Sequence, residues 1–242
     1  NGENEVNPNE KLDNKNHKKK RKKDKTEKEK KVIEAEDKEI EGISKYSGPI
    51  HKFIATREGK VLKAQGEREK HPTASLAKVM NIIVALDEID KGNASLDDEV
   101  CFTPDTAYLK GSWLNVKHGD CFTLETLLKS EIIYSANNAA YLVAKHICKG
   151  DIEKFVALMN EKAQELGMTD TVFYTPAGLP TSMTGKPMDI STAYDLYLMG
   201  RKASEDDRIK EWSSQLQLEL PNPNGDQVIY KNRNALLYRH GI

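Results

Sequence analysis

The sequence predicts an α+β domain, with strands near both ends of the folded region and helices between them. Three observations support this class. Alternating apolar and polar residues precede a long, almost wholly apolar segment, helical patterns follow it, and a second pair of alternating segments lies near the carboxyl end. Strands on both sides of a helical middle are typical of an antiparallel sheet with packed helices and a helical insertion.

The first part of the chain has a composition that predicts disorder. The 242 residues carry a net charge of −1, but residues 11–31 are dominated by Lys and an acidic stretch follows them. Such a segment buries too little apolar surface to offset its ordering entropy. We therefore predict a disordered Lys/Glu-rich tail over residues 1–45 and one folded domain over residues 46–242.

Local patterns predict the elements of this domain in order. Residues 51–67 alternate around Glu58-Gly59, which indicates an antiparallel hairpin. Residues 74–90 are apolar on nearly every side and predict a buried helix that ends at Gly92. Further helices are predicted at about residues 123–134, 137–148, 151–166 and 191–202. Several of these segments begin with a Thr, Asp or Ser that can cap a helix and end at a Gly that can terminate one. Finally, "LQLEL" and "DQVIY" around "PNPNG" indicate a second hairpin.

Several classes of site and of protein are not indicated. Cys101, Cys121 and Cys148 are odd in number and widely spaced, so we interpret them as ordinary, partly buried thiols and predict neither a disulfide framework nor a zinc site. The sequence has no Gly-rich phosphate loop, and we predict no metal and no cofactor. No apolar run approaches the roughly 20 residues that span a bilayer, and no secretory signal is visible. Because the sequence begins at Asn1 rather than at Met, we expect a processed or excised piece, from which a signal peptide could have been removed.

The stretch "HPTASLAKVM" contains the first candidate for chemistry. Ser75 falls at the predicted start of the buried helix, and Lys78 lies one turn later on the same face. A serine hydroxyl needs a base to become a nucleophile, and a lysine serves as that base when burial keeps its amine neutral. Backbone N–H groups at the helix start would also stabilise negative charge that forms there. The alternative is that Ser75 simply caps the helix.

The stretch "YSANNAA" adds a second hydroxyl and an amide between two predicted helices. Ser135 could relay a proton to a leaving group, and the amide of Asn137 could hold a peptide carbonyl. The alternative here is that Ser135 and Asn137 cap the following helix. We favour the chemical interpretation because the Ser75 and Lys78 pair occurs in the same chain.

These stretches, with "GSWLNVKHGDCFTLETLLKSEIIYSANNAAYLVAKHI" and "FVALMNEKAQELGMTDTVFYTPAGLP", resemble the serine D-alanyl-D-alanine carboxypeptidases, the low-molecular-mass penicillin-binding proteins. The resemblance covers about residues 50–242 and implies the β-lactamase/transpeptidase-like fold. It implies that Ser75 attacks the bond between two terminal D-alanines, that Lys78 accepts its proton, and that Ser135 passes a proton to the departing D-alanine. It also implies that Asn137 binds substrate. The expected partners are the peptidoglycan stem peptide and, as inhibitors, β-lactams.

The family's third motif, Lys-Thr-Gly, does not occur in the 242 residues. By resemblance, the ending "KNRNALLYRHGI" leads directly into the strand that carries it, so we expect the C-terminal strands of the sheet to be missing. Two interpretations follow: a truncated sequence of a normal enzyme, or a shortened and inactive protein. We favour the first because Ser75, Lys78, Ser135 and Asn137 are all present.

Two other functions stay open at this point. A class A β-lactamase shares the first two motifs and needs a Glu that activates the deacylating water, for which Glu165 is the candidate. A non-catalytic wall-binding protein would keep the scaffold and use its basic tail to hold anionic polymers. The tail itself predicts a solvated spacer or a contact with an anionic wall polymer or membrane surface, without a specific nucleic acid. The resemblance implies an extracytoplasmic location, at the cell wall or the outer face of the cytoplasmic membrane.

Overall fold

The computed structural model describes residues 50–238, and a long buried helix lies among its other helices. The predicted tail at residues 1–45 lies outside the described residues, as do residues 46–49 and 239–242. The helices are α1 (Ala77–Asp90), α2 (Pro104–Ala107), α3 (Leu124–Tyr134), α4 (Asn137–Ile147), α5 (Ile152–Glu165), α6 (Thr181–Thr184), α7 (Ala193–Ala203) and α8 (Asp207–Ser213), with 3-10 turns at Ala74–Leu76 and Ala235–Tyr238.

Helix α1 supplies much of the core because it is apolar on almost every side. It packs against α3, α4, α5 and α7. Its fully or almost fully buried apolar residues are Ala77, Met80, Ile82, Ile83, Val84, Ala85 and Leu86. The prediction of a buried helix here is confirmed, although the α-helix begins at Ala77 and residues 74–76 form a 3-10 turn.

The other long helices also lie where capping residues and apolar spacing predict them. Thr123 caps α3, Asp151 caps α5 and Thr192 caps α7, each through a side-chain oxygen that accepts a backbone N–H. The α+β class is therefore confirmed, and these caps fix where the chain enters each helix.

The strands of the described residues form two-stranded antiparallel pairs rather than one sheet. The pairs are β1 (Lys52–Ala55) with β2 (Val61–Gln65), β3 (His71–Pro72) with β6 (Ile190–Ser191), β4 (Glu99–Cys101) with β5 (Cys121–Thr123), and β7 (Gln217–Pro221) with β8 (Gln227–Lys231). Both predicted hairpins, β1–β2 and β7–β8, are confirmed. The pairs β3–β6 and β4–β5 were not predicted, because strands of two or three residues show too little alternation.

Aromatic side chains attach the two hairpins to helices. Phe53 of β1 packs edge-on against Tyr194 and Tyr197 of α7, with ring centroids 5.1 Å apart in both pairs. Tyr230 of β8 packs in the same way against Tyr134 at the end of α3, with ring centroids 4.9 Å apart. Each hairpin therefore has one face anchored on a helix.

Cys101 and Cys121 form a disulfide, so the prediction that both are free thiols is wrong. They stand opposite each other in β4 and β5, with Cα atoms 4.0 Å apart. The physical reason is the strand pairing, which brings together two cysteines that are 20 positions apart in the sequence. Glu99 lies beside both sulfur atoms, but metal binding requires thiolates, which a disulfide does not provide. Cys148 is a free, buried thiol.

No helix within residues 50–238 combines the length and the apolar character that a membrane span requires.

Candidate active site

Ser75 lies in the 3-10 turn that leads into α1. The chain reaches it from β3, and the backbone N–H of Thr73 bonds to the carbonyl oxygen of Asp189, 2.9 Å away. Ala74 then adopts a left-handed conformation with φ 45°, which is unfavourable for a residue with a Cβ. Ser75 is exposed to solvent, and the N-cap residue of α1 is Leu76, without a side-chain capping bond. The tight turn therefore presents the Ser75 hydroxyl outward instead of using it as a helix cap.

Lys78 is buried directly beneath Ser75. Its Nζ lies 3.0 Å from the Ser75 Oγ and 3.0 Å from the carbonyl oxygen of Ala177. Burial lowers the pKa of Lys78 to about 8; the charge of Glu131 opposes this shift, that of Arg233 adds to it, and Asp189 opposes it more weakly. A neutral lysine amine has two N–H groups and one lone pair. With Ala177 accepting one N–H, the lone pair can face the Ser75 hydroxyl and take its proton.

Ser135 follows α3 and also has left-handed backbone angles, with φ 65° and ψ 38°. Its N–H bonds to the carbonyl oxygen of Glu131 at 2.9 Å, which ends the helix. The N-cap residue of α4 is Ala136, and no side chain caps that helix. The alternative that Ser135 and Asn137 cap the following helix, α4, therefore does not hold.

One cleft of about 500 Å³ brings these groups together. Its lining residues come from the turn before α1, from α1 itself and from the end of α3: Thr73, Ala74, Ser75, Leu76, Lys78, Val79, Ile82, Glu131, Ile132 and Ser135. Three predicted site residues, Ser75, Lys78 and Ser135, thus share a single cavity although they come from two separate parts of the chain, the start of α1 and the end of α3.

Asn137, the fourth predicted residue, is buried at the start of α4 and holds the neighbouring loop. Its Nδ2 donates to the carbonyl oxygen of Lys110 at 2.8 Å, and its backbone N–H donates to the carbonyl oxygen of Ser112 at 2.7 Å. Gly111, with φ 96°, passes so close that a Cβ there would lie 2.7 Å from the Asn137 Nδ2. Asn137 is not among the residues that line the cleft, and its contact with a peptide carbonyl stays a prediction.

The loop after Phe173 supplies the carbonyl that orients Lys78. Asp189 is buried and accepts hydrogen bonds from the backbone N–H and the hydroxyl of Thr175, at 2.9 and 2.7 Å. Asn81 of α1 donates to the carbonyl oxygen of Pro176 at 3.0 Å. These bonds fix the backbone of Ala177 above Lys78. Asp189 lies far from both motifs in the sequence, and Asn81, although it comes only one turn after Lys78, belongs to neither motif, so motif spacing alone does not reveal them.

Glu131 is the charged residue of the cleft that sequence analysis missed. It lies one helical turn before Ser135 and is 2% exposed, and within residues 50–238 neither of its carboxylate oxygens has a hydrogen-bond partner. Burial raises the pKa of Glu131 well above its ordinary value, and only the charge of Lys78 opposes this. A single acid within the apolar stretch "LLKSEIIYS" was the available signal.

Glu165, the candidate base of the β-lactamase alternative, lies elsewhere. It is at the end of α5, is largely exposed, and forms an ion pair with Lys162. This pairing lowers the pKa of Glu165. It is not among the residues that line the cleft, so the structure does not support it as a base for a water near Ser75.

Comparison with known proteins assigns residues 52–242 to a family described as D-alanyl-D-alanine carboxypeptidase. The chain is 30% identical over 179 residues to the D-alanyl-D-alanine carboxypeptidase DacF of Bacillus subtilis, a match that covers 74% of this chain and 44% of the relative. This chain thus spans less than half of that relative's length.

Solved structures agree with this similarity. A D-alanyl-D-alanine carboxypeptidase from Mycobacterium tuberculosis H37Rv superposes with a TM-score of 0.70 at 31% identity, covering 81% of this chain and 71% of the other. Penicillin-binding protein D2 from Listeria monocytogenes, in its ampicillin-bound form, gives a TM-score of 0.64 at 26% identity, with 78% and 73% coverage. The fold predicted from the resemblance is confirmed.

Proposed function

The chain belongs to the D-alanyl-D-alanine carboxypeptidase family, and from this premise we propose that it removes the terminal D-alanine from peptidoglycan stem peptides as a serine hydrolase. The observation that carries the proposal is the 3.0 Å contact between the Ser75 Oγ and the Nζ of buried Lys78, in a cleft that Ser135 also lines. A nucleophile in contact with a base of lowered pKa is the arrangement that acyl transfer requires.

The proposed reaction has two halves. In the first, the Ser75 Oγ bonds to the carbonyl carbon of the penultimate D-alanine while its proton passes to the Lys78 Nζ. The tetrahedral intermediate collapses, the C–N bond breaks, and the leaving amine receives a proton through the Ser135 hydroxyl. In the second half, water attacks the acyl ester, and the Ser75 hydroxyl and the shortened peptide are released. Asn137 is the proposed contact for a peptide carbonyl.

The substrates and inhibitors follow from the same chemistry. A strained β-lactam amide offers Ser75 an acyl carbon like that of the peptide, and a ring-opened product stays tethered because its leaving group cannot diffuse away. We therefore propose β-lactams as covalent inhibitors. The ampicillin-bound Listeria relative supports this proposal.

The proposed location is extracytoplasmic, at the cell wall or the outer face of the cytoplasmic membrane. The substrate is found there, and the disulfide between Cys101 and Cys121 is typical of an oxidising compartment. For the basic segment at residues 11–31 we propose an anionic wall polymer or membrane surface as partner, because clustered Lys side chains attract closely spaced negative charge.

A penicillin labelling experiment tests the function. The full-length protein should gain the mass of one penicillin, and peptide mapping should place it on Ser75. Ser75→Ala should abolish both the adduct and the release of D-alanine from a synthetic peptide ending in D-alanyl-D-alanine. Ser182→Ala, at an exposed serine of α6, is the matched control and should behave like the unaltered protein.

Three results would count against the proposal. An adduct that persists in Ser75→Ala would move the nucleophile elsewhere. Rapid hydrolysis of penicillin without a lasting adduct would favour a β-lactamase. Binding of peptidoglycan without any acylation would favour a non-catalytic wall-binding protein.

A further inference from the structure

The strand pair β4–β5 has one face toward the core and one face toward solvent. Val100 of β4 belongs to the hydrophobic core, and Phe122 of β5 packs against that core. Because side chains alternate along a strand, the neighbours Glu99, Cys101 and Cys121 all lie on the exposed face. One carboxylate and two sulfur atoms therefore share the solvent side of a single pair of strands.

The register of the pair brings these three side chains together. Cys101 stands directly opposite Cys121, and Glu99 precedes Cys101 by two positions on β4. A carboxylate oxygen of Glu99 and the two sulfur atoms all lie within 4.8 Å of one another. Ligands of one tetrahedral Zn²⁺ lie roughly 3.3–3.8 Å apart, because Zn–O and Zn–S distances are about 2.0–2.3 Å. Once the two sulfur atoms are no longer bonded, rotation of the side chains can therefore bring all three onto one ion.

The carboxylate of Glu99 is not engaged by other protein groups. Among the hydrogen bonds and ion pairs of residues 50–238, none uses its oxygens. Two neighbouring acids differ in this respect, since Asp98 contacts the Nε2 of His146 at 2.8 Å and Asp120 accepts the backbone N–H of Lys117 at 2.9 Å. Within the described part of the chain no fourth His, Cys or acid joins the group, so water or an external ligand would complete a tetrahedron.

We propose that reduction of the disulfide between Cys101 and Cys121 opens a metal site on this face, in which both thiolates and the Glu99 carboxylate bind one Zn²⁺. A dithiol reductant supplies two electrons and two protons. One of its thiolates attacks a sulfur atom of the disulfide, its second thiol cleaves the mixed disulfide, and it leaves as its own disulfide. Zn²⁺ then displaces both cysteine thiol protons, which pass to solvent. Thiolate and carboxylate are ligands that zinc accepts together.

The bound ion takes over the place of the covalent bond. The disulfide joins β4 to β5, and a metal that is held by both cysteines joins the same two strands. None of the three ligands lines the cleft around Ser75. The site is therefore independent of the proposed hydrolase activity, and metal binding should stabilise the reduced fold and leave penicillin acylation unchanged.

A zinc competition experiment tests the site. The full-length protein is reduced with a phosphine, which is then removed under exclusion of oxygen, and Zn²⁺ is titrated against a chromophoric chelator. The reduced protein should bind one Zn²⁺ with a Kd below about 1 μM, weaker than at structural sites with four protein ligands. The oxidised protein has no thiolate at this face and should not compete. Cd²⁺ should give the ultraviolet charge-transfer band of thiolate ligands in the reduced protein alone.

Variants of the full-length protein assign the ligands. Cys101→Ser/Cys121→Ser should bind no better than the oxidised protein, even after treatment with the phosphine. Glu99→Gln should bind Zn²⁺ at least about tenfold more weakly than the unaltered protein, the smallest loss typical of a disturbed metal site. Glu125→Gln is the matched control, at a partly exposed glutamate that pairs with Lys129 at 3.0 Å, and should bind like the unaltered protein.

Thermal melts show whether the ion replaces the covalent link. Zn²⁺ should raise the melting temperature of the reduced protein and leave that of the oxidised protein unchanged. If the reduced protein is unfolded without metal, Zn²⁺ should restore its circular dichroism but not that of Cys101→Ser/Cys121→Ser. Equal zinc affinity in the reduced protein and in this double variant would overturn the site. Equal affinity in Glu99→Gln and the unaltered protein would remove Glu99 from it.

Discussion

At the scale of single residues, the chemistry of the site depends on one property of Lys78. Its amine must be neutral to accept a proton, and burial lowers its pKa to about 8, so that the neutral amine forms near this pH. Because a protonated Lys78 cannot serve as the base, acylation should be slow well below pH 8 and increase as the pH rises through that value. The bond from Lys78 to the carbonyl oxygen of Ala177 holds the amine beside Ser75.

Lys78→Arg should therefore abolish acylation. Arginine retains the positive charge but does not lose its proton at accessible pH, so it has no lone pair for the Ser75 proton. Rates of penicillin acylation, measured up to about pH 10, the ordinary pKa of lysine, should stay at background in the variant. Circular dichroism and a thermal melt should show that it is folded. Near-normal acylation by folded Lys78→Arg would remove Lys78 from the role of base.

The sequence could predict the residues of the site whose spacing is local. Ser75 and Lys78 are three positions apart, so any helix places them on one face, and the structure has their side chains in contact. Glu131 and Asp189 could not be found in this way, because their importance comes from being buried beside Lys78. Burial of a side chain by another helix depends on packing, which local spacing does not encode.

At the scale of elements, the site depends on a close fit between the turn before α1 and the loop after Phe173. Gly178 has φ 72°, and a Cβ added there would lie 1.7 Å from the carbonyl oxygen of Ala74. Only a glycine lets the two backbones approach this closely. The same approach supports the strained Ala74 conformation that presents Ser75.

A pair of glycine variants tests this fit. Gly178→Ala and Gly185→Ala both place a Cβ at a left-handed residue, with φ 72° and 70°, which costs about 1–2 kcal/mol. Gly185 has no neighbouring atom within 4 Å, so that cost should be its whole effect. Gly178→Ala should in addition displace the Ser75 turn and slow penicillin acylation by about 10²-fold. Equal acylation rates and equal melting temperatures in the two variants would show that the contact does not position Ser75.

Among the elements, the long helices and the two outer hairpins were predictable and the short strands were not. Helices such as α5 combine a capping Asp151, a regular apolar stripe and a following Gly167, so several local signals agree. The strands β3 and β6 have two residues each and exist because the chains on either side bring them together. No local pattern marks such a pair.

At the scale of the whole molecule, the described part of the domain has little sheet to hold it together. Its strands form separate pairs, so most of the packing is between helices around α1. The disulfide joins Cys101 to Cys121, at a sequence separation of 20, and so closes a loop between α1 and α3. The short strand pair β4–β5 offers few hydrogen bonds there. The disulfide lowers the conformational entropy of the unfolded chain, and this stabilises the fold more than the few hydrogen bonds of such short strands could.

Removing the disulfide should therefore destabilise the protein without reaching the active-site cleft. Closing a loop with 20 residues of separation corresponds to about 3 kcal/mol in the chain-entropy model, so Cys101→Ser/Cys121→Ser should lower the free energy of unfolding by about that amount. Dithiothreitol should lower the melting temperature of the unaltered protein and leave that of the double variant unchanged, so the double variant serves as the control.

Under denaturing conditions the unaltered protein should show one titratable thiol, Cys148, before reduction and three after it. Three thiols in protein purified from an oxidising compartment without reductant would contradict the pairing, because the two strands would then hold free cysteines side by side.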